Sequence, residues 1–246
     1  RRADHVTCVS AEDAAALCAL APTVRPVIVP NGIFLSEYGD LTPPGASRHS
    51  PLPLREGEGR GGVRSLVFTG KMDYRPNVDA VIWFATEIFP RIRRELPNVE
   101  FVIAGQKPTK AVVKLRALEG VTVTGAVDDV RPHIARAAVY VAPLRMGGGT
   151  RFKLLEAMAL RRAIVSTTIG AEGFAVQSVR ELMIADGADD FAQAVIALLR
   201  DEAKRGAMEE AGYEFVKEYD WGKIAPTVER LISLTSPTPQ TPPPPS

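Results

Sequence analysis

The sequence predicts a doubly wound α/β fold, in which helices cover both faces of a parallel sheet. Short runs such as VRSLVFTG, VEFVIAG and VYVAPLR are almost wholly apolar and rich in β-branched residues, as is typical of strands buried on both faces. They alternate with segments that carry apolar residues at helical spacing, such as PNVDAVIWFATEIFPRIRREL. This alternation indicates βαβ units and predicts a Rossmann-like domain over residues 63–234.

The elements follow in a regular order. Val6 to Val9 forms a short strand, Ser10 caps a first helix, and the strand PVIVPNG ends at Pro30 to Gly32. The domain then contains the predicted strands VRSLVFTG, VEFVIAG, VTVTGAV, VYVAPLR, AIVSTT and, at an edge, ELMIAD. The predicted helices are PNVDAVIWFATEIFPRIRREL, TKAVVKLRAL, DVRPHIARA, RFKLLEAMAL, two within ADDFAQAVIALLRDEAKRGAMEEAGYEFVKEY, and DWGKIAPTVERLISL.

The remaining segments differ in composition. Residues 40–62 are rich in Pro, Gly, Arg and Glu, which predicts a disordered insertion, and residues 235–246 form a proline-rich tail expected to be unstructured. Residues 1–39 are interpreted as a remnant of an N-terminal domain with the hinge that follows it. Because the chain opens without a methionine, directly on a strand, we expect an N-terminal part of a longer protein to be absent.

Composition excludes several classes of function. The chain has 246 residues, 46% hydrophobic and 24% charged, with a net charge of +1. These values indicate a soluble globular protein without nucleic acid as a partner. No apolar run approaches the roughly 18 residues of a membrane span, so we expect a cytoplasmic protein with at most peripheral membrane association. We interpret Cys8 and Cys18 as ordinary thiols, and His5, His49 and His133 as structural. No paired cysteines or Asp-x-Asp motif is present, so no metal or other cofactor is expected.

The stretch RMGGGTRFKLLEAMA carries the strongest functional signal, because a strand, three glycines and a helix follow one another. Gly147, Gly148 and Gly149 allow the backbone to approach a ligand closely. A helix N-terminus then favours an anion, with backbone N–H groups donated by Gly148, Gly149, Thr150 and Arg151. Arg151 and Lys153 add positive charge. The pattern predicts a phosphate or diphosphate site.

Glu156 lies one to two turns into the same helix. Its carboxylate is suited to accept hydrogen bonds from two ribose hydroxyls, as acidic residues do in nucleotide-binding folds.

Other loops at the carboxyl ends of strands face the same edge of the sheet. In TGKMDYRPN, Lys71 and Arg75 are candidates to meet the phosphates, or are solvated surface charges, while Asp73 and Asn77 are interpreted as helix caps. In TTIGAEG, Gly170 and Gly173 permit close backbone approach, and Glu172 either faces the substrate or shapes the loop. The further loops begin at Gly70, Gly105 and Gly125.

The sequence resembles a known family through three stretches. These are VIVPNGI, LVFTGKMDYRPNVDAVIWFATEIFPRIRRELPNVEFVIAG and VTVTGAVDDVRPHIARAAVYVAPLRMGGGTRFKLLEAMALRRAIVSTTIGAEG. They are similar to the C-terminal half of family 4 glycosyltransferases, which are retaining, metal-independent enzymes of the GT-B fold. The resemblance is strongest to the subgroup with a GGGTR-x-K-x-LEAMA motif, often found in capsule or exopolysaccharide clusters.

The resemblance implies roles for individual residues. Glu156 matches the second acid of the family's motif of two glutamates, which binds the ribose hydroxyls, whereas the first acid falls on Gly148 and is missing. Lys71 matches a basic residue that contacts the diphosphate, and Arg75 lies near a second one. The loops at Gly105 and at 125–130, with Val127, would hold the base. The last helix, from Trp221, would cross back to an N-terminal domain that supplies the acceptor site.

Several functions remain open at this stage. The leading hypothesis is transfer of a sugar from a nucleotide-sugar to a polysaccharide or lipid-linked acceptor, with the leaving diphosphate stabilised by backbone N–H groups and by Lys71 or Arg151. A second is a non-catalytic nucleotide-sugar-binding fragment. A sugar-nucleotide epimerase is disfavoured by the missing acid at Gly148, and a dinucleotide oxidoreductase by the lack of a G-x-G-x-x-G motif after the first strand.

Overall fold

The computed structural model describes residues 5–41, 64–149 and 151–235. Its main feature is a six-stranded sheet in which every pair of neighbours is parallel. The strands are β3 (Ser65–Thr69), β4 (Glu100–Ala104), β5 (Val121–Gly125), β6 (Val139–Ala142), β7 (Ala163–Ser166) and β8 (Met183–Ile184). The predicted parallel sheet is confirmed, with ELMIAD at its edge.

The strand order defines where the sheet can bind a ligand. The order is β5-β4-β3-β6-β7-β8. Strands β4 and β5 are therefore added on one side of β3, and the chain then crosses to the other side of β3, where β6, β7 and β8 are added. This is the doubly wound order of dinucleotide-binding folds, which place ligands beyond the carboxyl ends of the strands where the order reverses. That point lies between β3 and β6.

Helices cover both faces of the sheet. They are α2 (Arg75–Trp83), α3 (Phe89–Glu95), α4 (Lys110–Lys114), α5 (Arg131–Arg136), α6 (Phe152–Ala159), α7 (Ala188–Arg200) and α8 (Glu202–Val216). A last helix, α9 (Trp221–Thr235), follows α8. Side chains alternate along β3, so that Leu66 and Phe68 join one buried apolar cluster with α2, α3 and α7. Val67 joins the other, with α5, α6 and α8. Both faces of the sheet are buried, as continuous apolar strands predict.

The helix predicted over PNVDAVIWFATEIFPRIRREL is interrupted by one wide turn. A π-helical segment, Phe84–Ile88, separates α2 from α3, and the N–H of Phe89 donates to the carbonyl of Phe84. Pro90 follows and has no N–H to donate to the preceding turn. A π turn accommodates such a residue within a helix, so the helix continues past the proline.

The N-terminal residues form a separate small unit. Strands β1 (Thr7–Cys8) and β2 (Val27–Ile28) pair in parallel around α1 (Ala11–Leu20). The Ser10 hydroxyl accepts from the N–H of Asp13 at 3.1 Å, which confirms the predicted cap.

The hinge region then meets the last helix. The Ile33 N–H donates to the Tyr219 carbonyl, and the Trp221 N–H donates to the Ile33 carbonyl, both at 2.9 Å. This contact joins the residues after the VPN segment to the start of α9, the helix expected to cross back.

Two predicted segments cannot be compared with the structure. The insertion at 40–62 and the tail at 235–246 lie outside the described residues, apart from Asp40, Leu41 and Thr235, which belong to helical turns. Within the described part of the chain, no helix combines the length and apolarity needed to cross a membrane.

Candidate functional site

A cleft of about 400 Å³ opens beside the point where the strand order reverses. This volume lies in the range of small-molecule sites. Loops after β3, β4 and β5 form one side, and α6 forms the other. The cleft is lined by Thr69, Gly70, Lys71, Gly105, Gln106, Ala126, Val127, Val130, Lys153 and Glu156. Six of the predicted site residues are therefore brought together: Gly70, Lys71, Gly105, Val127, Lys153 and Glu156. Gly125 directly precedes this lining at the end of β5.

A buried tyrosine holds the strands at the opening of the cleft. The β3–β6 pairing ends at Val67 and Tyr140. Beyond it, the Tyr140 hydroxyl lies 2.8 Å from the Thr69 hydroxyl and accepts from the Thr69 N–H at 3.3 Å. Burial raises the pKa of Tyr140, which keeps its hydroxyl neutral. Tyr140 thus satisfies the Thr69 N–H where the ladder stops.

The loops after β3 and β4 are in backbone contact. A Cβ atom added at Gly105 would lie 1.8 Å from the Gly70 carbonyl oxygen, and Gly105 has a φ of +153°. A side chain at Gly105 would force the two loops apart. The close approach at Gly105 is therefore between two segments of the protein itself, and it fixes one wall of the cleft.

Lys153 points from the first turn of α6 into the cleft. Its Nζ donates to Asn77 Oδ1 at 2.8 Å and lies 4.1 Å from the centre of the Phe68 ring. Burial, and then the nearby charge of Arg151, lower the pKa of Lys153 to about 7, although Glu156 acts in the opposite direction. The cleft thus holds a lysine whose positive charge is poorly compensated by its surroundings, as suits an anion site.

Glu156 lies one turn further along α6, on the face that Lys153 occupies. Its Oε1 accepts from the Tyr38 hydroxyl at 3.4 Å. Burial raises the pKa of Glu156, partly offset by the Tyr38 bond and by Lys153. Burial, and then the Glu156 charge, raise the pKa of Tyr38 to about 12. The carboxylate faces the cleft with acceptor capacity to spare.

Tyr38 itself was not among the predicted site residues. It comes from the 3₁₀ segment Leu35–Leu41, which follows the hinge. The Arg131 guanidinium lies 5.9 Å from the centre of its ring and donates to the Glu37 carbonyl at 2.9 Å. Arg131 is held in turn by Asp129. An N-terminal segment therefore reaches the acid end of the cleft, which local sequence patterns do not indicate.

Arg151 lies beneath the glycine loop rather than in the cleft. Its side chain is only 8% exposed. It donates to the Gly148 carbonyl at 2.7 Å and to the Ile169 carbonyl at 3.4 Å. Among the described residues, Arg151 Nε has no hydrogen-bond partner. The guanidinium therefore orders the loops after β6 and β7, and the predicted contact with a diphosphate stays a prediction.

The glycine loop is open at its centre. A Cβ atom at Gly148 would meet no atom of the described residues within 4 Å, whereas one at Gly147 would lie 3.3 Å from Pro76. Gly147 and Gly149 have φ values of +107° and +84°. Thr150 lies outside the described residues. Among the described residues, none fills the position at Gly148 where the resemblance expects an acid.

The loop after β3 corrects two expectations. Asp73 was predicted to cap α2, but its carboxylate lies 3.6 Å from Lys71 Nζ, and the residue before α2 is Tyr74, without a side-chain cap. Asn77 was also interpreted as a cap, but it is buried and bonded to Lys71 and Lys153. Arg75 is exposed at the first residue of α2, outside the set that lines the cleft. The second cation facing the cleft is Lys153.

Residues of the loop after β7 lie elsewhere. Gly170 is buried: its N–H donates to the Thr167 hydroxyl at 2.9 Å, and an added Cβ atom would lie 2.7 Å from the Ala142 carbonyl. Packing therefore explains why a glycine stands at position 170.

Glu172 also lies outside the cleft. It is 3.9 Å from Arg151 and, with Gly149, lines a separate cavity of about 70 Å³ against the N-terminal unit. Within the part of the chain that the structure describes, no group of three metal-ligating side chains is found.

Comparison with known proteins identifies the family. The family model described as glycosyl transferases group 1 matches residues 63–201. The chain therefore belongs to the group 1 glycosyl transferases.

Its relatives are longer proteins. It is 29% identical over 219 residues to a phosphatidyl-myo-inositol mannosyltransferase of Mycolicibacterium smegmatis, covering 85% of this chain and 52% of the relative. It is 26% identical over 239 residues to the gpi3 subunit of a phosphatidylinositol N-acetylglucosaminyltransferase of Schizosaccharomyces pombe, covering 93% and 48%. The chain spans about half the length of the curated relatives it matches.

Solved structures agree on the fold. Anabaena Alr3699/HepE in complex with UDP matches with a TM-score of 0.72 at 13% identity, covering 94% of this chain and 64% of that one. The sucrose-phosphate synthase of Thermosynechococcus elongatus matches with a TM-score of 0.70 at 20% identity, covering 95% and 58%. The partial coverage fits the C-terminal half of a GT-B glycosyltransferase.

Proposed function

We propose that this chain binds the nucleotide-sugar donor of a retaining, metal-independent glycosyltransferase, which transfers the sugar to a lipid-linked or polysaccharide acceptor. The observation that carries the proposal is the placement of Lys153 and Glu156 one turn apart on α6, both lining the cleft where the strand order reverses. A cation and a carboxylate at this spacing match the diphosphate and the ribose of one nucleotide.

The donor's parts are assigned to different elements. Glu156 accepts hydrogen bonds from the ribose hydroxyls. Lys153 and Lys71 bind the diphosphate, together with backbone N–H groups of the glycine loop and the start of α6. The loops after β4 and β5, with Gly105, Gly125 and Val127, hold the base. Arg151 keeps the glycine loop in place.

In the proposed reaction, the protein assists catalysis by stabilising the leaving diphosphate. Breaking the bond between the sugar and the diphosphate builds negative charge on the phosphate oxygen, and cations held nearby stabilise that charge as it forms. Lys153 and Lys71 face the cleft from opposite walls, so both are available for this role. No protein nucleophile is required, in keeping with the family that the sequence resembles.

The acceptor belongs to another part of the protein. Two relatives are named for transfer to phosphatidylinositol lipids, which supports a lipid-linked acceptor at a membrane surface. We propose a location in the cytoplasm at that surface. Because the chain spans half the length of its relatives, we propose that an N-terminal domain supplies the acceptor site. A non-catalytic donor-binding fragment is the second candidate, supported by the same half-length coverage.

A binding experiment tests the proposal. UDP, GDP and ADP are each titrated into the 246-residue chain, and the thermal midpoint is followed. At least one should raise the midpoint, and Glu156→Ala should remove most of the rise, whereas Glu172→Ala, a second glutamate outside the cleft, should retain it. An unchanged shift in Glu156→Ala would exclude the ribose assignment.

A transfer assay tests whether the chain needs a further domain for catalysis. The isolated chain should bind donor yet show little hydrolysis or transfer, since the acceptor site is supplied elsewhere. Robust transfer by the isolated chain would contradict both the need for a further domain and the non-catalytic alternative.

A further inference from the structure

Asn77 occupies an unusual place for an amide side chain. It is the third residue of α2 and is only 6% exposed. Its Nδ2 donates to the Lys71 carbonyl at 2.9 Å, and its Oδ1 accepts from Lys153 Nζ at 2.8 Å. Both ends of the amide are therefore used, and they join the loop after β3 to helix α6 across the floor of the cleft.

The Lys153 ammonium depends on this contact. Asn77 accepts the one hydrogen bond that its side chain makes to the described residues, while the Phe68 ring supports it from below at 4.1 Å. The charged groups that act on it are Arg151, which opposes its charge, and Glu156, which favours it. Lys71 lines the same cleft. A buried amide oxygen is a neutral acceptor, so it stabilises the ammonium without competing for it as a full salt bridge would.

We propose that Asn77 is a positioning residue that holds the Lys153 ammonium toward the diphosphate of the bound nucleotide-sugar. The inference rests on the proposed function, since it takes the cleft to bind that diphosphate. Asn77 does not touch the donor; it acts through Lys153. A carboxamide suits this task because it fixes the direction of the ammonium and leaves its charge for the ligand.

A double-mutant cycle tests the coupling. The four proteins are the wild-type chain, Asn77→Ala, Lys153→Met and the double variant, and the affinity for UDP, GDP and ADP is measured by calorimetry. Thr86→Ala is the control, because Thr86 lies in the π-helical segment that continues α2 and its hydroxyl donates to the Ile82 carbonyl of the same helix. Circular dichroism and the unliganded thermal midpoint establish that each variant is folded.

The cycle has distinct outcomes. If Asn77 acts through Lys153, Asn77→Ala weakens the tightest nucleotide by about tenfold in the wild-type background. In the Lys153→Met background it has less than about a twofold effect. Equal losses in both backgrounds would show that Asn77 merely supports the Lys71 loop, and would overturn the inference while leaving the proposed function intact. Absence of binding to the wild-type chain by all three nucleotides would instead overturn the proposed function.

The pH dependence gives a second readout that a structural role would not move. Wild-type affinity should fall as pH rises through about 7, where Lys153 loses its proton. Asn77→Ala removes the acceptor and should move this fall to lower pH. Asn77→Asp keeps an acceptor and adds a negative charge, and should move it to higher pH. Shifts in opposite directions support the inference; a uniform loss at every pH in both variants would refute it.

Discussion

The two walls of the cleft are built on different principles. The wall formed by the loops after β3 and β4 is closed by packing, since Gly70 and Gly105 meet backbone to backbone. The wall formed by the glycine loop and α6 is open at Gly148 and carries the partly buried charges of Lys153 and Glu156. The first wall has its glycines because the neighbouring backbone leaves no room for a side chain, whereas no contact within the described part of the chain requires a glycine at Gly148. Gly70 and Gly105 are therefore explained by contacts within the protein, whereas Gly148 leaves space that a ligand can occupy.

The largest effect is expected at the packed wall. Gly105→Ala places a Cβ atom 1.8 Å from the Gly70 carbonyl oxygen, in a backbone conformation that disfavours side chains. We expect a loss of about 3 kcal/mol or more in the free energy of unfolding, measured by urea denaturation. Gly148→Ala serves as the control and should stay within about 0.5 kcal/mol of wild type. Equal losses in the two variants would mean that the walls do not differ in this way.

Lys153→Met should change stability and binding in opposite directions. An apolar side chain removes the cost of burying an ammonium group, so the unliganded chain should be at least as stable at pH about 7. Nucleotide affinity should fall by about tenfold. Titration calorimetry and thermal unfolding measure the two effects, with Lys110→Met, at the start of α4, as a control. A parallel loss of stability and binding would place Lys153 among the structural residues.

The same variant has a pH signature. The pKa of Lys153 is lowered to about 7 from 10.5, so the unfolded chain binds more protons between these values. Linkage then makes stability rise with pH across this window in the wild type. Lys153→Met should flatten that rise, which thermal midpoints from pH about 7 to about 10 would reveal. An unchanged slope would contradict the burial of the charge.

Gly148→Glu tests the open wall directly. No atom of residues 5–41, 64–149 and 151–235 lies within 4 Å of the added Cβ, so stability should change by less than about 0.5 kcal/mol. Restoring the acid that the resemblance expects should tighten binding of a nucleotide-sugar relative to its nucleoside diphosphate. The ratio of the two affinities is the measurement, and a large loss of stability would show that the loop has no room.

The smallest effect is expected for Arg75→Ala. Arg75 is exposed outside the cleft, whereas Lys71 lines it. Nucleotide affinity should therefore change by less than about twofold in Arg75→Ala, and more in Lys71→Ala. A larger loss of affinity in Arg75→Ala than in Lys71→Ala would show that Arg75 contacts the nucleotide.

Much of this molecule follows from its sequence for physical reasons. Continuous apolar strands and helical periodicity predict the parallel sheet, and the order of strand, glycines and helix places Lys153 and Glu156 on the wall of a site. What the sequence does not reveal is pairing between distant segments. Asn77 and Lys153 are 76 residues apart, and Tyr38 and Glu156 are 118 apart. Hydrophobic periodicity gives information about one helix or strand at a time and none about its partners. An asparagine near the start of α2 therefore looks the same in the sequence whether it caps the helix or is buried against a distant residue.

The π turn shows the same limit on a smaller scale. Pro90 lies within a segment of strong helical periodicity, and local rules leave open whether the helix ends or bends there. Phe84 and Phe89 both pack against Phe101 of the sheet. These contacts hold the segments before and after Pro90 in one continuous helix. Tertiary packing decides the outcome.

The central claim is that Glu156 binds the ribose of a nucleotide whose diphosphate lies at Lys153. It is tested most directly by comparing the tightest-binding nucleoside diphosphate with its 2′,3′-dideoxy form on the wild-type chain and on Glu156→Ala. The wild type should prefer the ribose form by about tenfold or more, and Glu156→Ala should reduce that preference to less than about twofold. A preference that survives in Glu156→Ala, or that is absent from the wild type, would contradict the account.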